Sequence, residues 1–276
     1  MSLIRVDHGD DPRLRGYKLL GDAAALRRAG CFVAEGRFVV ERLLCEPAYS
    51  IESLLLNEAA YRALEAVLAS RCADVVTYLC PPSLFMELTG YDFHRGCLAL
   101  VRRPVLPLPE DLAARSRALI VLEGVANADN VGGVFRNAAA FGVDGVLLSP
   151  TSSDPLYRKA IRTSMGETLR VPFAILGEGE SPWPACLYSL WELGFELLAL
   201  TPHPTATDID EVVARGVPDR FALLVGSEGD GLSPGALALA TSRARIAMRA
   251  NVDSLNLAVA SGIALQRLMR LGRAQL

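Results

Sequence analysis

Short apolar runs alternate with stretches of helical spacing along nearly the whole chain. Over residues 13–30, Arg13, Arg15, Arg27 and Arg28 surround Tyr17, Leu19, Leu20 and Leu26 in a helix-compatible pattern. Cys31 to Ala34 is then an apolar run that stops at Glu35-Gly36 and reads as a strand. Residues 37–45 follow with Phe38, Glu41, Arg42 and Cys45 at helical spacing. Ile51 to Asn57, Asp74 to Leu79 and Gly96 to Arg102 read as strands, separated by helices predicted over 58–70 and from Pro82 to Leu88. This alternation predicts a small α/β domain over 31–103, preceded by a helical extension over 1–30.

Prolines interrupt the pattern in Arg103-Pro-Val-Leu-Pro-Leu-Pro109. Repeated prolines continue neither a ladder nor a helix, so residues 104–117 read as a linker. A second series follows over 118–276. Strands are predicted at 118–123, 145–148, 171–175, 196–200, 221–225 and 246–248, and helices at 130–141, 156–163, 183–193 and 254–271. Near-continuous apolar strands such as Leu119-Ile-Val-Leu122 and Phe221-Ala-Leu-Leu-Val225 suit a parallel sheet covered on both faces.

Composition narrows this picture. With 276 residues, 51% of them hydrophobic and 21% charged, the chain can bury enough apolar surface to order two domains. The net charge of −3 and pI near 5.7 give no global basic field of the kind a bulk nucleic-acid binder shows. Only two of the 28 basic residues, Lys18 and Lys159, are lysine. That bias is open to two readings, codon usage in a GC-rich genome or the suitability of arginine's planar fork for phosphate. The N-terminal segment lacks an apolar leader and no stretch approaches a membrane span, so a cytoplasmic location is expected. The six cysteines (Cys31, Cys45, Cys72, Cys80, Cys97, Cys186) and three histidines (His8, His94, His203) are scattered, so reduced thiols and no metal site are expected.

Three segments at strand ends concentrate polar residues, where ligands of open α/β sheets bind. The first is Glu123-Gly-Val-Ala-Asn-Ala-Asp-Asn-Val-Gly-Gly-Val-Phe-Arg136, in which Asp129 or Asn130 can cap a helix. There Gly132 and Gly133 admit a close neighbour, and Arg136 shares their face. The second is Gly226-Ser-Glu-Gly-Asp-Gly231, directly after an apolar strand. It lacks a Gly-Lys-Ser/Thr, and Glu228 and Asp230 sit where a pyrophosphate would need N–H groups. Its carboxylates suit a positively charged ligand or a ribose hydroxyl better. The third runs from Ile246 through Met248, Asn251, Asp253, Ser254 and Asn256 into a helix whose small residues Ala258, Ala260, Gly262 and Ala264 permit close packing.

Taken together these segments resemble the SpoU (TrmH-like) family of RNA 2′-O-ribose methyltransferases of the SPOUT class. Asn130-x-Gly132-x-x-x-Arg136 is similar to the family's first motif. Gly226-Ser-Glu228-Gly-x-Gly231-Leu is similar to the second, and Ile246-x-Met248 with Ser254-Leu255-Asn256 to the third. Asp154-Pro-x-x-Arg-Lys-Ala160 with Arg162-x-Ser164-Met-Gly166 is similar to an accessory segment, in which Glu167 departs from the usual small residue. The front half resembles an appended RNA-binding domain of ribosomal-protein type.

The resemblance implies an α/β fold whose C-terminal parallel sheet carries a deep trefoil knot, and a homodimer whose site is shared between subunits. It implies S-adenosyl-L-methionine as cofactor, held by Thr201, Gly226, Ile246, Met248 and Leu255, and no metal. The catalytic set it implies is Arg136, polarising the ribose hydroxyl, with Asn130, Glu228, Ser254 and Asn256 orienting it. RNA is the implied partner, ribosomal favoured over transfer, with Arg158, Lys159 and Arg162 and the group Arg243, Arg245 and Arg249 as phosphate contacts. A non-catalytic RNA-binding protein of the same fold is the rival reading, and the catalytic set argues against it. A nicotinamide-dependent oxidoreductase fails on the missing G-x-G-x-x-G and the acidic turn at Gly226–Gly231.

Overall fold

The computed structural model describes residues 3–71, 74–89, 96–179, 181–249 and 252–269. Cys72, His94, Asn251 and the predicted helix end at Arg270 and Leu271 lie outside the described residues. The chain forms two compact units, Met1–Val105 with Leu156–Leu169, and Leu106–Pro155 with Arg170–Leu276.

The first unit is built on five strands, β1 (Leu3–Arg5), β2 (Cys31–Glu35), β3 (Ile51–Leu56), β4 (Val76–Leu79) and β5 (Cys97–Arg102). Their order is β1-β4-β3-β5-β2, parallel from β1 to β3 and antiparallel on both sides of β5. Four of these follow the apolar runs read from sequence. β1 does not, because three residues carry too little periodicity to register. Its pairing with β4 draws the first thirty residues into this unit, where a helical extension was expected. Leu14, Tyr17 and Leu20 are buried there, and the Tyr17 hydroxyl bonds Ser53 Oγ at 2.9 Å. The helix Arg37–Leu44 turns Val39, Val40, Leu43 and Leu44 inward and leaves Phe38 outside.

The segment Leu156–Leu169, expected with the C-terminal domain, belongs to this first unit. Glu35, buried at the end of β2, receives Arg158 of the helix Arg158–Thr163 at 3.2 Å and lies 3.9 Å from Arg162. A carboxylate with so little access to water needs such partners. Arg158, offered above to phosphate, therefore serves Glu35 first. Glu167 has an equally local role, as the ion-pair partner of Arg42.

The second unit carries β6 (Ala118–Leu122), β7 (Gly145–Leu148), β8 (Phe173–Ile175), β9 (Glu196–Leu200), β10 (Thr207–Asp208), β11 (Phe221–Val225) and β12 (Ser242–Arg245). They form one parallel sheet in the order β10-β12-β9-β11-β6-β7-β8. Every residue of β6, β7 and β11 is buried, as a sheet covered on both faces requires. β12 lies upstream of the predicted 246–248, because the polar-looking Ser-Arg-Ala-Arg pairs with β9 and leaves Ile246 to Met248 as loop. The supposed linker contains the helix Pro109–Ala114, with proline at its first position and Leu112 and Ala113 buried in the core. The helices Ile209–Arg215 and Pro234–Leu239 were not foreseen, and the predicted 183–193 helix shortens to Tyr188–Glu192 after a 3₁₀ turn.

Two helices pack close together on this sheet, Ala128–Phe141 and Leu257–Leu268. A Cβ on Gly133 would lie 2.6 Å from that of Ala258, so only glycine allows the approach. Asn137 Nδ2 then reaches the Ala258 carbonyl at 2.6 Å and Ser261 Oγ at 3.2 Å. Arg220, just before β11, donates to the carbonyls of Leu193 and Ala113, each at 2.7 Å, and of Ser116 at 3.2 Å, with its guanidinium over the Phe195 ring.

Burial pushes the thiols of Cys80 and Cys97 up to about 12 and that of Cys186 up to about 11, whereas Cys45 is exposed. Thiolate is the reactive form. Among the described cysteines, peptide mapping after brief iodoacetamide treatment should find the exposed Cys45 alkylated first and the buried Cys31, Cys80, Cys97 and Cys186 only on unfolding. Gly133→Val should destabilise the protein by about 1–3 kcal/mol through overpacking against Ala258, measured by urea unfolding.

Candidate active site

A cavity of about 470 Å³ opens where β9 and β11 end and where the loop after β12 passes, within the size range of small-ligand pockets, roughly 300–1,000 Å³. Its position follows the rule that parallel sheets bind ligands beyond the carboxyl ends of their strands. Leu200, Val225, Ile246, Met248, Leu255 and Leu257 supply apolar walls, and Thr201, Ser227, Glu228, Ser254 and Asn256 a polar margin.

The loop geometry follows from three glycines. Gly226 comes directly after β11, and a Cβ there would lie 2.1 Å from the Gly231 carbonyl carbon. The chain therefore folds back on itself, closed by the bond from Gly231 N to the Ser227 carbonyl at 3.2 Å. Gly229 and Gly231 hold φ of 110° and 71°, a left-handed region costly for other residues. On the next strand, Thr201 N bonds the Ala244 carbonyl at 2.9 Å, fixing the start of its loop against the end of β12.

Asn256 joins this cavity to the first motif. Its Oδ1 caps the helix Leu257–Leu268 by accepting from the backbone N–H groups of Ala258 at 3.0 Å and Val259 at 3.2 Å. That leaves Nδ2 as the only donor, and it reaches both Asn130 Oδ1 at 2.9 Å and Glu228 Oε1 at 3.1 Å. Asn130 is 4% exposed, and with its oxygen engaged its own Nδ2 is a buried donor without an acceptor among the described residues. Such a group is costly unless an incoming ligand satisfies it.

Of the residues singled out from the sequence, the cavity gathers Thr201, Gly226, Ile246, Met248, Leu255, Glu228, Ser254 and Asn256. Asn130 stands behind them, reached through Asn256. Arg136 does not join the group. It is exposed on the helix Ala128–Phe141, lines no part of the cavity and makes no hydrogen bond or ion pair among the described residues, so within one chain the polar set does not orient it. The caps also differ from expectation. Asn127, not Asp129 or Asn130, caps the first helix, by accepting from Asp129 N at 2.9 Å. The last helix, expected from 254, starts at Leu257 with Asn256 as its cap.

Glu123, at the end of β6, is buried and structural. It accepts from Trp183 Nε1 at 2.5 Å and from Ser233 N at 2.9 Å, anchoring the start of the helix Pro234–Leu239. The cavity also takes in Leu200, Pro202 and Leu257, which carry no motif and are not singled out in the sequence, and Ser227, which lies inside the second motif without an assigned role. Their one signal is their place at or just past strand and helix ends. Among the described residues no three His, Cys, Asp or Glu side chains converge as a metal site would need, and no helix is long and apolar enough to cross a membrane.

Asn256 has two separable duties. Asn256→Ala should cost about 1 kcal/mol through the lost cap alone. Asn256→Asp keeps the cap but faces Glu228 with a second carboxylate. Its deficit relative to wild type should shrink as the pH falls through the carboxylate range, because protonation relieves like-charge repulsion. Thermal unfolding of both variants against pH reads the difference.

The profile of the SpoU rRNA methylase family matches residues 117–266. An uncharacterized tRNA/rRNA methyltransferase of Mycobacterium bovis is 38% identical over 269 residues, covering 95% of this chain and 90% of that protein. An AdoMet-bound rRNA methyltransferase from Sinorhizobium meliloti superposes with a TM-score of 0.79 at 21% identity, over 97% of this chain and 98% of its own. An RNA 2′-O ribose methyltransferase superposes at 0.74 with 24% identity, over 97% and 98%.

Proposed function

The chain belongs to the SpoU rRNA methylase family of RNA methyltransferases, and from that premise we propose that it methylates a ribose 2′-hydroxyl of RNA, ribosomal RNA in the first instance, with S-adenosyl-L-methionine. The observation that carries this reading is the Asn256 amide. It binds Glu228 at the margin of an apolar cavity on one side and the buried Asn130 of the first motif on the other.

The cavity suits the cofactor. Apolar walls from Ile246, Met248 and Leu255 accept a flat base, and the collapsed turn at Gly226 presents backbone rather than side chain. Thr201 closes the set, and the Glu228 carboxylate favours a ligand carrying positive charge. When bound, S-adenosyl-L-methionine supplies a methyl group on a positively charged sulfur, which departs as a neutral thioether.

The protein's task is to hold a poor nucleophile in line and draw on its proton. Glu228 and Asn256 orient the ribose, and Ser254 at the same margin adds a hydroxyl. Asn130, behind this margin, fixes the Asn256 amide by accepting from its Nδ2. Arg136 supplies the positive charge. A guanidinium does not deprotonate readily, so Arg136 polarises the hydroxyl and neutralises the adjacent phosphate, which can take the proton. Its exposure and separation from the cavity lining in one chain support a homodimer in which a second copy completes the site. The parallel order β12-β9-β11-β6, with cavity-lining loops after β9, β11 and β12, supports a trefoil knot in this part of the chain.

Arg136→Ala should abolish tritiated-methyl transfer to RNA from a strain lacking this protein, while calorimetric affinity for S-adenosyl-homocysteine stays within a few-fold of wild type. Wild-type protein that binds neither S-adenosyl-L-methionine nor its demethylated product would overturn the reading.

A further inference from the structure

One segment singled out in the sequence, Arg162-x-Ser164-Met-Gly166, plays no part in the cavity. It lies in the first unit, beside the helix Arg37–Leu44. Met165 adopts φ of 57°, a left-handed conformation unusual for a residue with a long side chain, and its side chain is exposed. Arg42 Nη1 holds the Met165 carbonyl at 3.1 Å and pairs with Glu167 in the same turn. The same guanidinium lies 4.5 Å from the centroid of the Phe38 ring, which is 45% exposed.

This arrangement is built rather than incidental. Arg42 has its charge satisfied by Glu167 and its position fixed by a carbonyl, so it is a poor phosphate ligand. It is instead a brace that holds an aromatic ring at the surface. The helix Arg158–Thr163 preceding the turn carries exposed Lys159 and half-buried Arg162, and Arg37 is exposed next to Phe38. Glu41 is the acidic exception on the outer face of the Arg37–Leu44 helix. A rigidly held ring among cations is the means by which proteins capture unpaired bases, through stacking on the π-face with the flanking phosphates neutralised nearby.

We propose that Phe38, braced by the Arg42 that also holds the Met165 turn, is a stacking platform for an unpaired RNA base, with the exposed Arg37 and Lys159 as contacts to its neighbouring phosphates. The proposal rests on the reading of this protein as an RNA enzyme and assigns to the first unit a preference for single-stranded over duplex RNA. Because Phe38 is outside the core, substitutions there leave the fold intact, which a melting curve verifies.

The test uses the full-length protein with a short oligoadenylate and a duplex RNA of the same length. Phe38→Trp fluorescence, corrected for the wild-type signal, should be quenched by the single strand and not by the duplex. Phe38→Leu should weaken oligoadenylate binding by roughly tenfold or more, whereas Phe38→Tyr retains it. In methyl transfer, Phe38→Leu should raise KM for RNA with kcat and S-adenosyl-homocysteine affinity unchanged. Wild-type affinity for oligoadenylate in Phe38→Leu, or equal quenching by single strand and duplex, overturns the platform. Binding that depends on Phe38 without any methyl transfer would sustain the platform and defeat the proposed activity, so the two readings fail separately.

Discussion

The candidate site depends on how one amide is shared. Asn256 has a single oxygen and a single nitrogen with which to satisfy a helix end, a carboxylate and a second amide. Because the helix N–H groups claim the oxygen, the nitrogen must face Glu228 and Asn130. Because Asn130 then accepts, its own nitrogen is left a buried donor without an acceptor among the described residues. A capping requirement at the start of Leu257–Leu268 thus fixes the polarity of a side chain on another helix. The Gly133–Ala258 contact makes this geometry reachable, by letting the two helices approach more closely than side chains would normally permit.

The first unit uses its charges differently. Glu35 and Glu167 each draw an arginine out of circulation, so basic residues in the sequence overstate the positive surface available to a polyanion. This bears on the acidic balance of the whole chain. Recognition of RNA by such a protein would rest on a few exposed cations and on surfaces that bind bases, not on a broad basic field. The abundance of arginine over lysine acquires a partial physical use here. Arg220 binds three carbonyls and covers a ring at once, and Arg42 combines a carbonyl, a carboxylate and a ring, which a single ammonium does less well.

The motifs were legible because their chemistry is local. Glycines at 226, 229 and 231 announce a turn that other residues would strain, and the acidic members of that turn by themselves argue against polyphosphate. Arg136 is equally visible as a residue type at a helical spacing from Gly132 and Gly133. Its environment was not visible, because whether an exposed arginine meets a cavity depends on surfaces brought together in space. The first cap lies two or three residues upstream of the expected positions for a related reason, since Asn127, Asp129 and Asn130 are all competent acceptors and only the backbone path selects among them.

By itself the sequence determined the alternation of strands and helices, the buried parallel strands and the three polar loops, since hydrophobic period and glycine conformation act over a few residues. It also carried the resemblance on which the family assignment rests. The tertiary structure decided what depends on contacts between distant segments. It placed β1 in a sheet, moved the last strand to Ser242–Arg245, made a helix of a supposed linker and gave Leu156–Leu169 to the first unit. It also settled which polar groups pair, because a hydrogen bond or an ion pair is chosen by proximity and desolvation, which no local pattern encodes.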